Sequence, residues 1–334
     1  MSAMPTVSAP LGSVLSSASE PVRLARVRHL IHKSTFSIVA TDHVTGEIGC
    51  AVQSRYFAVG NVVPWAKAGV GAVATQAAGV AAFGPRILAL LELERLLPEA
   101  AIAAALADDE QRETRQLGVV RADGASAAHT GSECNSWAGH RTGAGYAVQG
   151  NILAAEDVVL DMERAFLRST GSLAERLVTA LEAGQAAGGD SRGQQSAAVV
   201  VERPGAAAET REGIDRVCDL RVDDHAKPID ELRRLLGIHL RWDALRRASA
   251  HYAPGRYEDG IAILSAALER FGADATILYD LACFECLDGR SDDALAHVRA
   301  ALELDPQLRA AIVADGDFAA LADDARFRAL VEGR

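Results

Sequence analysis

The pattern of hydrophobic and polar positions divides the chain into parts of different character. From Thr35 to Thr41, apolar Phe36, Ile38 and Ala40 alternate with small or β-branched residues, the period-two signature of a strand. "DHVTGE" supplies a turn and residues 48–54 return, so the first readable unit is a hairpin. Residues 69–78, "GVGAVATQAA", are small and apolar and suit a strand packed closely on a neighbour. Gly84-Pro85 opens a helical pattern that runs to about Leu97, and Pro98 starts another. "RQLGVVRADGASAAHTG" reads as a hairpin turning at Asp123-Gly124, followed by a strand over 146–153. Helical periodicity returns over 156–168 and 173–184, and strands follow at 196–201 and in "VCDLRVDD". Strands first, helices in the middle and strands last predict an α+β layered domain, antiparallel sheets with helices outside them, ending near residue 240.

The pattern then changes. "ATILYDLACFECLDGRSDDALAHVRAALELDP" (275–306) fits a tetratricopeptide-like repeat, whose period is 34 residues. Ala282, Ala294 and Ala301 fall where paired helices cross closely, Leu278, Leu281 and Val298 fill larger core positions, and Gly289 sits in the turn. A shift of 34 residues back recovers Ala248, Gly255, Gly260 and Ala267 in the same roles. Phe318, Leu321, Phe327 and Leu330 at helical spacing predict a closing helical cap. Two repeats are fewer than such stacks need, so the all-α part is expected to lean on the first domain. The expected organisation is a disordered or processed leader over 1–34, the α+β domain over 35–240 and the helical domain over 241–334.

Composition narrows the function classes. The chain has 334 residues, 49% hydrophobic and 24% charged, enough for two globular domains. No apolar run approaches the ~20 residues that cross a bilayer. Net charge is -11 and acids outnumber bases from Arg241 onward, which argues against nucleic acid or an anionic membrane surface as partner. Five scattered cysteines imply no disulfide framework, and Cys283-x-x-Cys286 reads as helix packing. The leader carries Arg23, Arg26, Arg28 and Lys33 against Glu20 but no apolar secretion segment, so a cytoplasmic enzyme or binding protein is expected.

Familiar motifs are set aside. Gly69-x-Gly71-x-x-Ala74 mimics a dinucleotide fingerprint without a βαβ unit around it. His129, Cys134 and His140 have no familiar zinc spacing. What remains is a set of polar residues punctuating small apolar strands: Thr35, Ser54, Arg55, Lys67, Gln76, Asn151 and the loop "GGDSRGQQS" with Asp190 and Arg192. Lys67 is one of three lysines among 34 basic residues. A buried lysine can lose its proton where arginine cannot; the alternative is a solvated surface lysine.

The blocks "STFSIVATDHVTGEIGCAVQSRYFAVGNVVPWAKAGVGAVATQA", "WAGHRTGAGYAVQGNIL", "AGGDSRGQQSAA" and "DLRVDDH" resemble, in order, the bacterial family called domain of unknown function 1028. That resemblance implies the N-terminal-nucleophile hydrolase fold, a four-layer αββα sandwich, and an amidohydrolase acting on a small amide or related C–N bond without metal or organic cofactor. It places Thr35 where the superfamily keeps its nucleophile, whose own α-amine, with a pKa of ~7.7–8.0, serves as base. Family members commonly begin with methionine and that threonine; here Ser34 precedes Thr35, so while that peptide bond stands there is no amine and no base. Within the resemblance Lys67 and Asp190 tune the amine and Asn151 helps hold the oxyanion, with Ser54, Arg55, Gln76 and Arg192 as substrate-binding candidates. Each of these could instead be a polar group satisfied within the fold. The helical tail is expected to bind a protein partner or a second copy in a homo-oligomer. The competing expectation is a non-catalytic scaffold for assembly or ligand binding.

Overall fold

The computed structural model describes residues 35–208 and 213–333, so the expected leader lies outside the described residues. Two antiparallel sheets and a C-terminal helical region make up the mixed α+β chain. Strands β1 (Thr35–Thr41) and β2 (Ile48–Ser54) pair in full register from Thr35↔Ser54 to Thr41↔Ile48. Asp42 closes their turn by accepting the Val44 N–H at 2.8 Å, the local bond that favours Asp at such positions. β3 (Pro64–Lys67), β4 (Gly71–Ala77), β5 (Arg115–Arg121) and β6 (Ser126–Thr130) form a four-stranded sheet in that order. β7 (Gly139–Gly143), β8 (Tyr146–Asn151), β9 (Ser196–Glu202) and β10 (Arg216–Val222) join the hairpin in a six-stranded sheet ordered β10-β9-β2-β1-β8-β7. β1 therefore sits in the interior of its sheet, held by β2 on one side and β8 on the other.

Side-chain alternation sorts the strands' faces into three cores. Phe36 and Ile38 point from β1 into a core shared with α3 (Asp157–Arg168) and α4 (Leu173–Ala186), through Met162, Leu177 and Leu181. α4 starts at a capping box in which Ser172 and Glu175 each satisfy the other's backbone N–H. Val39, Cys50 and Val52 point the opposite way and meet Ala72, Ala74 and Val120 of the four-stranded sheet. On that sheet's outer face, Val73, Leu117 and Val119 pack against Ile87 and Leu91 of α1 (Phe83–Leu93) and Ile102 of α2 (Pro98–Leu106).

The expected domain boundary at residue 240 falls inside a single 22-residue helix, α5 (Pro228–Ser249). Its first half buries Ile229, Leu232 and Leu236 on the six-stranded sheet. Its second half buries Ala244, Leu245 and Ala248 against α6 (Tyr257–Phe271) and α7 (Ala275–Leu287). α8 (Ser291–Leu304) pairs with α7, and short α9 (Arg309–Ala314), a 3-10 turn (Gly316–Leu321) and α10 (Ala325–Glu332) close the end with Phe318 and Phe327 buried. Residues related by 34 positions have matching surroundings: Ala248 and Ala282, and Ala267 and Ala301, are buried. Gly255 and Gly289 take φ of 70° and 81°, the left-handed turn conformation that glycine adopts without strain. No helix among the described residues is long and apolar enough to cross a membrane.

Candidate active site

Thr35 opens β1 between the last residues of two neighbouring strands, Ser54 of β2 and Asn151 of β8. Cross-strand partners share a face, so these three side chains lie together on the side facing the four-stranded sheet. The Thr35 hydroxyl donates to Ser54 Oγ at 3.2 Å, and all three residues are buried. From the opposing sheet, Gln76 Nε2 donates to the Thr35 carbonyl at 3.3 Å and to Gln116 Oε1 at 2.8 Å. Gln116 Oε1 also accepts from Asn151 Nδ2 at 2.9 Å, while its Nε2 donates to Gly150 O, Thr130 Oγ1 and Gly139 O at 2.8, 2.9 and 3.2 Å. Ser37 donates to Gln76 Oε1 and accepts from Gln149 Nε2, both at 2.6 Å. Gly118 makes room for Gln149: a Cβ there would stand 2.0 Å from Gln149 Oε1. Below Thr35 the two sheets are thus joined by amide hydrogen bonds rather than aliphatic packing.

The loop holding Asp190 spans the same strand ends. Asp190 bridges Leu153, and Ser191 N donates to Ile152 O at 3.1 Å, tying the loop to the exit of β8. Its carboxylate accepts from Arg55 N at 2.8 Å, and Gln195 N donates to Ser54 O at 3.1 Å, tying it to the exit of β2. Since β1 lies between β8 and β2, the loop crosses the start of β1, and Asp190 falls within one to two strand spacings of Thr35, roughly 5–10 Å. The Asp190 side chain is 0% exposed and is clamped by Arg192, whose backbone N–H and guanidinium both donate to it. Arg55 Nη1 donates to Arg192 O at 2.8 Å, closing the loop onto β2. Ile152 and Ala77, which follow Asn151 and Gln76, hold φ of 52° and 65°. Such left-handed conformations in non-glycine residues are costly and concentrate at functional sites.

Not every residue singled out from the sequence meets here. Lys67 pairs with Gly71 at the end of β4 opposite Gln76, a separation of roughly 16 Å along the strand. It is half exposed and bonded to Glu92 at 2.5 Å, so it is a surface lysine and does not reach Thr35. Gln76 is buried with its amide spent on Thr35, Ser37, Gln116 and Gln149, which makes it a link between sheets rather than a substrate-facing group. His129, Cys134 and His140 make separate contacts, to Arg112 O, Arg115 O and Thr130 Oγ1. Sequence reasoning missed Gln116 and Ser37. Ser37 carries a signal, since it shares the face of Thr35 in the alternation; Gln116 follows Arg115 at the polar end of β5 and carries none. Among the described residues one group has metal-ligand composition, Cys283, Asp315 and Asp317. It lies in the helical region, where Tyr279 and Tyr252 donate to the two carboxylates and burial pushes the thiol up.

Residues 35–232 match the family of unknown function DUF1028. The crystal structure of a Silicibacter pomeroyi protein assigned to that family is similar at 33% identity and a TM-score of 0.55, over 61% of this chain and 88% of that one. No curated protein matches the chain.

Proposed function

Because the chain belongs to the family of unknown function DUF1028, we propose a function from a constellation that its matched region assembles: an N-terminal-nucleophile-type amidohydrolase acting on a small amide or related C–N bond. The observation that carries this reading is Thr35 at the start of an interior strand, flanked by Ser54 and Asn151 and crossed by the Asp190 loop. The order helices, sheet, sheet, helices across the three cores supports the αββα sandwich of such hydrolases.

In this reading the Thr35 hydroxyl attacks the carbonyl carbon, and the α-amine freed by cleavage before Thr35 takes the hydroxyl proton. Asp190, fixed by Arg192 and the Arg55 N–H, holds that ammonium in place. Asn151, oriented by Gln116 and paired across from Thr35, is the candidate donor to the oxyanion; one such donor is typically worth ~2.7–4 kcal/mol of barrier. Collapse of the tetrahedral intermediate expels the amine with the proton returned to it, and water then hydrolyses the acyl-threonine. No step uses Lys67.

A second reading is a non-catalytic scaffold, favoured by one observation: within the intact chain the Thr35 hydroxyl and carbonyl are both hydrogen-bonded and fully buried. The matched surroundings of residues 34 apart support a tetratricopeptide-like tail that serves a protein partner or self-association of a cytoplasmic enzyme.

The test is release of p-nitroaniline from a panel of acyl-p-nitroanilides. A chain shortened to begin at Thr35 after methionine removal should be active, and the full-length chain 10²–10⁴-fold slower, the usual worth of general-base help. In the shortened chain Thr35→Ala should abolish turnover, Thr35→Ser should keep part of it, and Lys67→Met should change it less than about twofold. Equal rates in uncut full-length protein and its Thr35→Ala variant would leave the scaffold reading in place.

A further inference from the structure

The described residues end their two sheets in four edge strands, β3, β6, β7 and β10. An open edge invites pairing with another chain, and proteins block it with charges, proline or bulges. β10 carries Arg216, Asp219 and Arg221 and shifts register against β9. β3 carries Pro64 and Lys67, and β7 carries Arg141. β6, "SAAHT", has no such block, and its His129 turns aside, with Nε2 donating to Arg112 O at 3.1 Å.

The ladder fixes which groups this edge offers. Arg121 N donates to Ala125 O at 2.8 Å and Gly131 N to Arg115 O at 3.0 Å. With the register running from Gln116↔Thr130 to Val120↔Ser126, Ala127 and His129 therefore turn their backbone groups toward β5. Ser126, Ala128 and Thr130 turn theirs outward. β7 does not take up those groups. It belongs to the other sheet and reaches β6 through side chains, Ser126 Oγ donating to Gly143 O at 2.7 Å and Thr130 Oγ1 lying 2.8 Å from His140 Nδ1. On the opposite face a cavity of about 340 Å³ runs between β6 and α2, with Ile102, Leu106 and Ala127 as its apolar lining.

We propose that β6 takes an extended peptide as a fifth strand of its sheet, with acid, apolar and basic side chains at alternate positions laid along this groove. The groove is charged at both ends. Glu99, exposed in the first turn of α2, makes no hydrogen bond or ion pair among the described residues. Arg112, also exposed, donates to Ala107 O at 3.4 Å, which places it at the other end of α2. Eight residues of helix separate Glu99 from Ala107, about 12 Å. Four residues of strand span about 13 Å, so side chains at i, i+2 and i+4 of the peptide reach one end, the middle and the other end. Every strand pair in the fold is antiparallel, and β6 runs from the Glu99 end toward Arg112, where His129 sits. An antiparallel peptide therefore presents its acid first, to Arg112, then the apolar residue to Ile102 and Leu106, then the base to Glu99.

Fluorescence anisotropy with the full chain at low ionic strength tests this, using fluorescein-TETLTKT-amide and, as control, the same residues in reverse order, fluorescein-TKTLTET-amide. The first should saturate one site per chain and bind about tenfold tighter than the second, because reversal trades two attractions for two repulsions. Glu99→Arg together with Arg112→Glu, both at exposed positions, should invert that preference. Ala128→Pro removes an outward N–H and no ladder bond, so it should weaken the first peptide about tenfold or more while melting within about 3 °C of wild type. Thr35→Ala should bind as wild type, so the result is read apart from the chemistry at Thr35. The proposal is overturned by no saturable binding, by equal affinity for the two peptides, or by an unchanged preference in the charge-exchanged variant. A dimer in sedimentation velocity that Ala128→Pro dissociates would overturn it too, since the edge would then belong to a second copy.

Discussion

Gln116→Leu keeps a buried side chain of similar volume while removing every hydrogen bond that joins the two sheets through residue 116. Five bonds go, two accepted by Oε1 and three donated by Nε2; those with Asn151, Gly139 and Gly150 cross between the sheets, and those with Gln76 and Thr130 lie within the four-stranded sheet. The loss is uneven. Gln76 Nε2 keeps the Thr35 and Gln149 carbonyls at 3.3 and 3.4 Å, and Thr130 Oγ1 keeps His140 Nδ1 at 2.8 Å. Asn151 Nδ2 loses its Gln116 acceptor, and the buried Gly150 and half-buried Gly139 carbonyls lose their Gln116 donor. At ~1–3 kcal/mol for each of these three bonds lost, with carbonyls the more tolerant, the loss is about 4–6 kcal/mol. Burying the leucine side chain returns about 2 kcal/mol. The net expectation is therefore about 2–4 kcal/mol, read as a lower urea midpoint with unchanged slope in tryptophan fluorescence. Gln116→Glu should fare worse, because it turns an acceptor toward Gly139 O and Gly150 O in place of a donor. A midpoint within about 0.5 kcal/mol of wild type for Gln116→Leu would refute the idea that this network holds the sheets together.

Two further outcomes are expected. Burial, reinforced by Asp315 and Asp317, raises the Asp280 carboxyl to about 6 from 3.8, so the fold favours its protonated form. That contribution is fully present below the unfolded value and is lost as pH rises through about 6, so Asp280→Asn should stabilise the helical region at pH 7 by about 1–2 kcal/mol and change it little at pH 4 in urea melts. A chain ending after residue 238 keeps Ile229, Leu232 and Leu236 on the six-stranded sheet and should retain its strand signal in circular dichroism. One ending before Pro228 loses all three, at ~1.5–3 kcal/mol each, and should melt far earlier; equal melting of the two would mean that α5 does not support the sheet.

Elements with a buried face were legible in the sequence. β1 and β2 alternate cleanly around a turn, and α4 announces itself with Ser172 and Glu175. β3 and β7 were not foreseen, because both are short edge strands without a fully buried face: "PWAK" and "GHRTG" carry no alternation to read. At the expected boundary near residue 240 no loop marks a change, since α5 is apolar enough at each end to serve two cores. At the candidate site, Thr35 and Asn151 are partners because β1 begins where its neighbour β8 ends, and the loop before β9 brings Asp190 to the exits of β8 and β2. Lys67 stands out only by the rarity of lysine in this chain, a property of composition that says nothing about position. Gln116 follows Arg115 at the polar end of "RQLGVVR", and a glutamine there is ambiguous until its partners from β4 and β8 are known.

The continuous helix α5 also sets the mechanics of the chain. Twenty-two residues make a rod of about 33 Å, anchored by its first half. With Leu236 as the last anchored position, a tilt of about 10° would carry the far end, some 20 Å away, through roughly 3 Å. A pull on the terminal helices is therefore delivered as torque on the strand face beneath Leu232 rather than absorbed in a slack tether. Any load borne by the tail is felt first by β9 and β10, and between β9 and β1 stands a single strand, β2.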